Sequence, residues 1–220
     1  MNSYDLLTLF RGTGFSLLLA IGSIPLATIL SVLLVSLARS RFSVLRYIYV
    51  IYVWAIRGTP LLLLAMLIFY AMYAANMPMP PYVAGVFVVG VYHSSLLSEI
   101  LRGAINAIPR SLFESAKTIG LPANATFTKI LVPLVVRQAL PAYINVCVMM
   151  IKASSILSVI GVWELTYASR EITERTLDVF PVLGMAAAIY FVICFTADRF
   201  GKRLERRLAA RGFAHELGDA

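Results

Sequence analysis

Charge is scarce in this chain of 220 residues. Only 14% of them are Asp, Glu, Lys or Arg, and just 11 are acidic against 19 basic. There are two cysteines, Cys147 and Cys194, both inside apolar runs and without C-x-x-C spacing. That pattern points to neither a disulfide nor a metal site. No G-x-x-x-x-G-K-[ST] phosphate loop is present. The nearest approach, Gly201-Lys202-Arg203, has Thr196 where the first glycine belongs. The chain therefore has no such loop for a nucleotide, and any hydrolysis belongs to a partner. No Ser–His–Asp, H-E-x-x-H or paired-carboxylate set has supporting spacing, so an enzyme is disfavoured. His215 lies beside Glu216 near the end of the chain and reads as solvated. Low-complexity tracts and fixed-period repeats are missing too. A cleaved signal peptide is not expected, because Asp5 precedes Arg11 and the apolar run after Gly14 is too long.

What is abundant is hydrophobic surface: 60% of the residues, with a mean hydropathy of +0.84. Those are values of an all-α integral membrane protein, read here as one transmembrane domain over residues 1–220. Runs long or apolar enough to cross a bilayer fall at about 15–38, 61–75, 82–101, 141–162 and 180–197. Residues 47–56 form a further aromatic and apolar stretch ending in Arg57-Gly58-Thr59-Pro60, and residues 198–220 are a basic tail.

Sidedness follows from the basic residues. Place the loops after the first and third spans, and the tail, in the cytoplasm. Then 15 of the 19 lysines and arginines are inside, Arg11, Arg170 and Arg175 are outside, and Lys152 is within the membrane. The positive-inside rule favours that arrangement, with the N-terminus outside and the C-terminus cytoplasmic. The same distribution argues against nucleic acid, since the cations border spans rather than forming a base-reading pattern.

Between the third and fourth spans, residues 109–133 read differently. Ser111 and Glu114 suggest a capping box, Gly120 a left-handed stop and Pro122 a block to continuation. The helix between them has about eight residues, roughly 12 Å. Leu112, Phe113, Ala116 and Ile119 share its apolar face. So short a helix is marginal alone and needs something against that face.

This stretch resembles the signature of the membrane-spanning permease subunits of ABC importers, E-A-A-x-x-x-G followed nine residues on by I-x-L-P. Glu114, Ser115, Ala116, Gly120, Ile130 and Pro133 stand at those spacings. The resemblance implies a coupling helix that docks on a separate ATP-binding subunit in the cytoplasm, with Ser111, Phe113, Glu114, Ala116, Gly120 and Pro133 as contacts. More of the chain is similar to the branch importing polar amino acids and opines. Arg57-Gly58-Thr59-Pro60-Leu61-Leu62, Ser98-Glu99-Ile100-Leu101-Arg102-Gly103, Lys152-Ala153-Ser154-Ser155 and residues 158–165 carry that likeness. Leu64, Leu96 and Ala153 stand where that branch usually has polar residues. The substrate's identity and charge are therefore not carried across. The resemblance further implies a second permease subunit, identical or sister, and a periplasmic or lipid-anchored binding protein. Its setting would be a bacterial inner membrane. ATP and magnesium would be held by the partner, with no cofactor in this chain.

Polar groups inside the spans are candidates for a substrate path. Lys152 in the fourth span costs about 2.5–3.5 kcal/mol to insert. It should face a watery cavity or pair with a carboxylate. Asn145 lies two turns before it, and Ser154 and Ser155 follow. His93, Ser94 and Glu99 sit on the third span, where Glu99 could instead pair locally with Arg102. An ion- or proton-coupled secondary amino acid carrier would use these same groups, but it gives the cytoplasmic helix no purpose.

Overall fold

The computed structural model describes the backbone of residues 2–216 and the side chains of residues 2–206. The side chains of Arg207, Arg211 and His215, read from sequence as cytoplasmic or solvated, lie outside that range. The described residues form helices and connecting turns, with no strand among them.

The first helix, α1 (Ser3–Ala38), has 36 residues and is about 54 Å long. Its buried side carries Gly12, Ser16, Ala20, Ser23, Ala27 and Ser31 at helical spacing. Such a stripe lets a neighbouring backbone come close, which drives packing where lipid removes the hydrophobic incentive. The serines cost little, since Ser23 Oγ donates to Leu19 O at 2.8 Å and Ser31 Oγ to Thr28 O at 2.7 Å. Gly12 and Ser16 lie against residues 164–168, and from Ala20 onward the neighbour is α4 (Pro81–Asn106), which opens on Pro80-Pro81, a pair suited to the free first turn of a helix. Fit between the two is tight. A Cβ added at Gly90 would stand 2.6 Å from Leu26 Cδ2.

Between them run α2 (Ser43–Gly58) and α3 (Leu61–Ala74), which meet at 108°. Pro60 explains the break, because it has no N–H to donate and holds Thr59 extended at φ −104° and ψ 130°. After α5 (Arg110–Thr118) one rod runs from Ala123 to Ile160. It begins as α6 (Ala123–Thr126), widens to a π turn at Phe127–Leu131, continues as α7 (Val132–Ala153) and tightens to a 3-10 segment at Ser154–Ile160. Pro133 accounts for the π turn, since it cannot return a hydrogen bond to the preceding turn. Gly161, at φ +82°, ends the rod. Then come α8 (Leu165–Thr176) and α9 (Val179–Glu216), whose side chains up to residue 206 are mostly exposed. The main core joins Leu19 and Ala27 of α1, Val88 and Leu97 of α4, and Val146 and Met150 of α7.

Among the described residues four helices are long and apolar enough to cross a membrane, and the bent α2–α3 pair makes a fifth span if counted as one. The span count matches the sequence reading, while the boundaries are wider. Residues 3–14 already belong to α1, where Leu9 packs against Leu165 and Ile172 of α8. The stretch 47–56 is helix α2, and the crossing expected of 61–75 alone falls to a 14-residue helix plus α2. At about 21 Å, α3 is shorter than the hydrocarbon layer. The fourth crossing begins well before residue 141, and the polar segment after it contains α8.

Candidate functional site

Between the inner ends of α4 and α7 lies α5, the helix predicted from residues 111–120. Its start differs from the expectation. Pro109 is the N-cap and no side chain caps the helix, so Ser111 and Glu114 form no capping box. The chain turns at Pro109 (ψ 136°), which places Ser111 already inside the first turn, where its exposed hydroxyl has passed the capping position. The stop is as expected. Gly120 has φ +75°, its N–H donates to Lys117 O at 3.0 Å, and the Leu121 N–H donates to Ala116 O at 2.9 Å. Those two bonds are a Schellman ending, which only a residue free of left-handed strain completes without penalty.

The apolar face of α5 is divided. Ala116 is 3% exposed, and Phe113 packs into a cluster with Ala104 and Ile108 at the end of α4 and Val135 and Ala139 of α7. Leu112 is 40% exposed and Ile119 is 76% exposed. One edge thus wedges α5 into the bundle while the other is free. Of the residues expected to meet a partner, Ser111, Glu114, Gly120 and Pro133 are exposed, whereas Phe113 and Ala116 are turned inward. Ile119, placed by sequence only on the apolar face, is the C-cap of α5 and its most exposed large hydrophobic side chain.

Along α7 the buried positions include Val135, Ala139, Val146 and Met150. The opposite face exposes Gln138, Asn145 and Lys152, each seven residues from the next. Lys152 makes no ion pair among the described residues. Asn145 and Lys152, at membrane depth, must meet water or another chain's polar groups, while Gln138, beside Arg137, stands at the inner edge of the span. Gln138 escaped the sequence reading because it precedes the run assigned to the span. Its heptad spacing from Asn145 and Lys152 was the signal that could have found it.

The other candidates are placed elsewhere. His93 is buried and its Nδ1–H donates to Val89 O at 2.9 Å. Ser94, also buried, bonds to the Tyr52 hydroxyl at 2.8 Å. Ser154 is buried with its Oγ donating to Ile151 O at 2.8 Å, and Ser155 returns a bond to Lys152 O at 2.8 Å. Glu99 accepts from Arg102 Nε at 2.9 Å and Nη2 at 2.7 Å, and from the Tyr49 hydroxyl. The local ion pair is therefore formed. In this conformation His93, Ser94 and Ser154 face the chain's own bundle, apart from the exposed Asn145 and Lys152.

A further cluster went unread in the sequence. Glu164 is fully buried at the N-cap of α8 and accepts from the Tyr167 N–H at 2.9 Å, Ser16 Oγ at 3.2 Å and the Tyr190 hydroxyl at 2.5 Å. It thereby ties α8 to α1 and α9 at the end of the bundle away from α5. Asp5 and Arg175 add an ion pair between α1 and α8.

Comparison with known proteins agrees with this architecture. Residues 23–210 match the family of binding-protein-dependent transport system inner membrane components. The L-cystine transport system permease protein TcyB of Bacillus subtilis (strain 168) is 36% identical over 178 residues, 80% of this chain and 76% of its own. The glutamine transport system permease protein GlnP of Escherichia coli (strain K12) is 29% identical over 164 residues, 74% of this chain and 75% of its own. An amino acid ABC transporter crystallised with histidines has a chain that superposes with a TM-score of 0.86 at 26% identity, covering 94% of this chain and 99% of that one. The MetNI methionine ABC transporter, at 16% identity and a TM-score of 0.77, shares the fold. With a multi-span helical bundle and this match over most of its length, the chain belongs to the binding-protein-dependent transport system inner membrane component family, as an inner-membrane permease subunit of an ABC transport system.

Proposed function

We propose that this chain forms half of the translocation path of an ATP-driven importer of polar amino acids. The observation that carries the reading is α5, with one apolar edge wedged between α4 and α7 and the other exposed. A cytoplasmic ATP-binding subunit, holding ATP and magnesium, grips Leu112 and Ile119 together with the exposed Ser111, Glu114, Gly120 and Pro133. Movement of α5 passes through Phe113 and Ala116 into α4 and α7, which rock as rigid bodies. A second permease subunit, identical or sister, completes the path, and a periplasmic or lipid-anchored protein delivers the substrate. Relatives named for cystine, glutamine and octopine transport support an amino acid as cargo.

Lys152 and Asn145, with Gln138 below them, line this path from α7, and His93, Ser94, Ser154, Ser155 and Glu99 brace the helices behind it. A cation with no carboxylate partner among the described residues suits the carboxylate of an amino acid. Such a charge-assisted bond contributes about 1.5–3 kcal/mol. Lys152→Gln should therefore lower uptake of the labelled substrate roughly tenfold or more while the complex still assembles. Uptake at the wild-type level would remove Lys152 from the path.

Docking itself is tested by Ile119→Asp. Burying a carboxylate at the centre of an apolar contact costs 2 kcal/mol or more, so co-purification of the ATP-binding subunit should fall about thirtyfold. Undiminished co-purification would place the contact elsewhere.

A further inference from the structure

On the side of the bundle formed by α1, α2 and α4 is an open hollow of about 830 Å³. Arg46, Tyr49, Trp54 and Arg57 of α2 and Glu99 and Arg102 of α4 line it, and no residue of α7 does. Three guanidinium groups face one carboxylate, and that carboxylate is already taken by Arg102 and Tyr49. Among the described residues Arg46 bonds to neutral oxygens alone, Ser40 O at 3.3 Å and Ser43 Oγ at 3.1 Å. Arg57 is exposed and makes no ion pair among the described residues. The hollow thus holds two more guanidinium groups than carboxylates, and among the described residues no second carboxylate reaches it.

Its depth is fixed by its neighbours. The hollow touches Ala38, the last residue of α1, and Tyr49 and Val53 pack on Leu34 one turn earlier. Glu99 stands two turns from the inner end of α4. By the distribution of basic residues this is the cytoplasmic end, so the hollow straddles the inner headgroup boundary. Val50 and Val53 give it an apolar wall, and the Trp54 indole is 76% exposed beside them. Indoles favour that boundary, guanidinium forks fit phosphate oxygens, and basic pockets between helices on this side suit acidic headgroups.

We propose that this hollow binds the headgroup phosphate of one anionic phospholipid, with Arg46 and Arg57 as its cationic grip and Trp54 against the acyl chain. The site depends on which end faces the cytoplasm and not on how α5 is driven, so the two ideas fail separately.

The test uses the assembled transporter in nanodiscs of equal phosphatidylglycerol and phosphatidylcholine, extracted gently and weighed by native mass spectrometry. Wild type should retain phosphatidylglycerol over phosphatidylcholine. Arg46→Gln/Arg57→Gln should lower that retention about tenfold or more, the weight of two arginines near an anionic surface. Arg41→Gln, at the same end but outside the hollow, should retain it as wild type does. Equal retention of both lipids by wild type, or undiminished retention by the double variant, overturns the proposal. So does displacement of the lipid by millimolar inorganic phosphate or amino acid, which would make the hollow a site for soluble anions. If the double variant does not assemble, the wild-type lipid preference and the displacement arm decide alone.

Discussion

Replacing Gly120 with valine should abolish substrate-stimulated ATP hydrolysis by the reconstituted complex, a fall of roughly tenfold or more, with membrane insertion unaffected. The residue sits at φ +75° with nothing beyond its own chain neighbours within 4 Å of where its Cβ would be, so space is not the constraint. Conformation is. A left-handed backbone costs an L-residue about 1–2 kcal/mol, and more for a β-branched one. Relief of that strain breaks the two bonds from Gly120 and Leu121 and lets the last turn of α5 unwind beside Ile119. Asparagine tolerates this backbone, so Gly120→Asn should keep at least half the wild-type stimulation. If valine and asparagine behave alike, the left-handed stop is not what shapes the contact.

Glu164→Ala should be the most destabilising single change outside the core. It leaves the Tyr190 hydroxyl and Ser16 without their carboxylate acceptor and removes the cap of α8. Tyr190 keeps the longer contacts to the hydroxyls of Ser16, Ser154 and Thr166, at 3.3–3.4 Å. The loss is that of two bonds to a carboxylate, about 1.5–3 kcal/mol each, and of a cap, about 1. A sum near 4 kcal/mol would lower the melting temperature of a chain this size by about 10 °C. Glu164→Gln keeps one acceptor oxygen and the side chain's volume, so its loss should be less than half as large. Thermal unfolding of the purified complex, followed by tryptophan fluorescence, checks both. Equal melting temperatures for wild type and Glu164→Ala would mean that the network holds nothing together.

These two residues also mark what a linear reading can reach. Gly120 was legible because its partners are local, with the stop, Pro122 and the apolar face all inside a dozen residues. The start of the same helix was misread because Pro109 and Ser111 both suit a helix beginning, and the backbone turns at the proline. Glu164 was not legible as a site, since Ser16 lies 148 residues away and Tyr190 lies 26 away. Periodicity found the apolar centre of each span but lost their ends, where Asp5, Arg11 and Gly12 interrupt the hydrophobic run while their helix continues. For Lys152, sequence posed the choice between a partner and a cavity. Among the described residues no carboxylate pairs with it, and its spacing with Gln138 and Asn145 is what shows the face it occupies.

The most direct measurement is uptake of a labelled polar amino acid into vesicles holding this chain, its partner permease and the binding protein, with and without the ATP-binding subunit and internal ATP. Uptake should appear only when the ATP-binding subunit and nucleotide are both present, and should vanish with Ile119→Asp. Uptake at the full rate without that subunit would contradict the account, because α5 would then have no work to transmit.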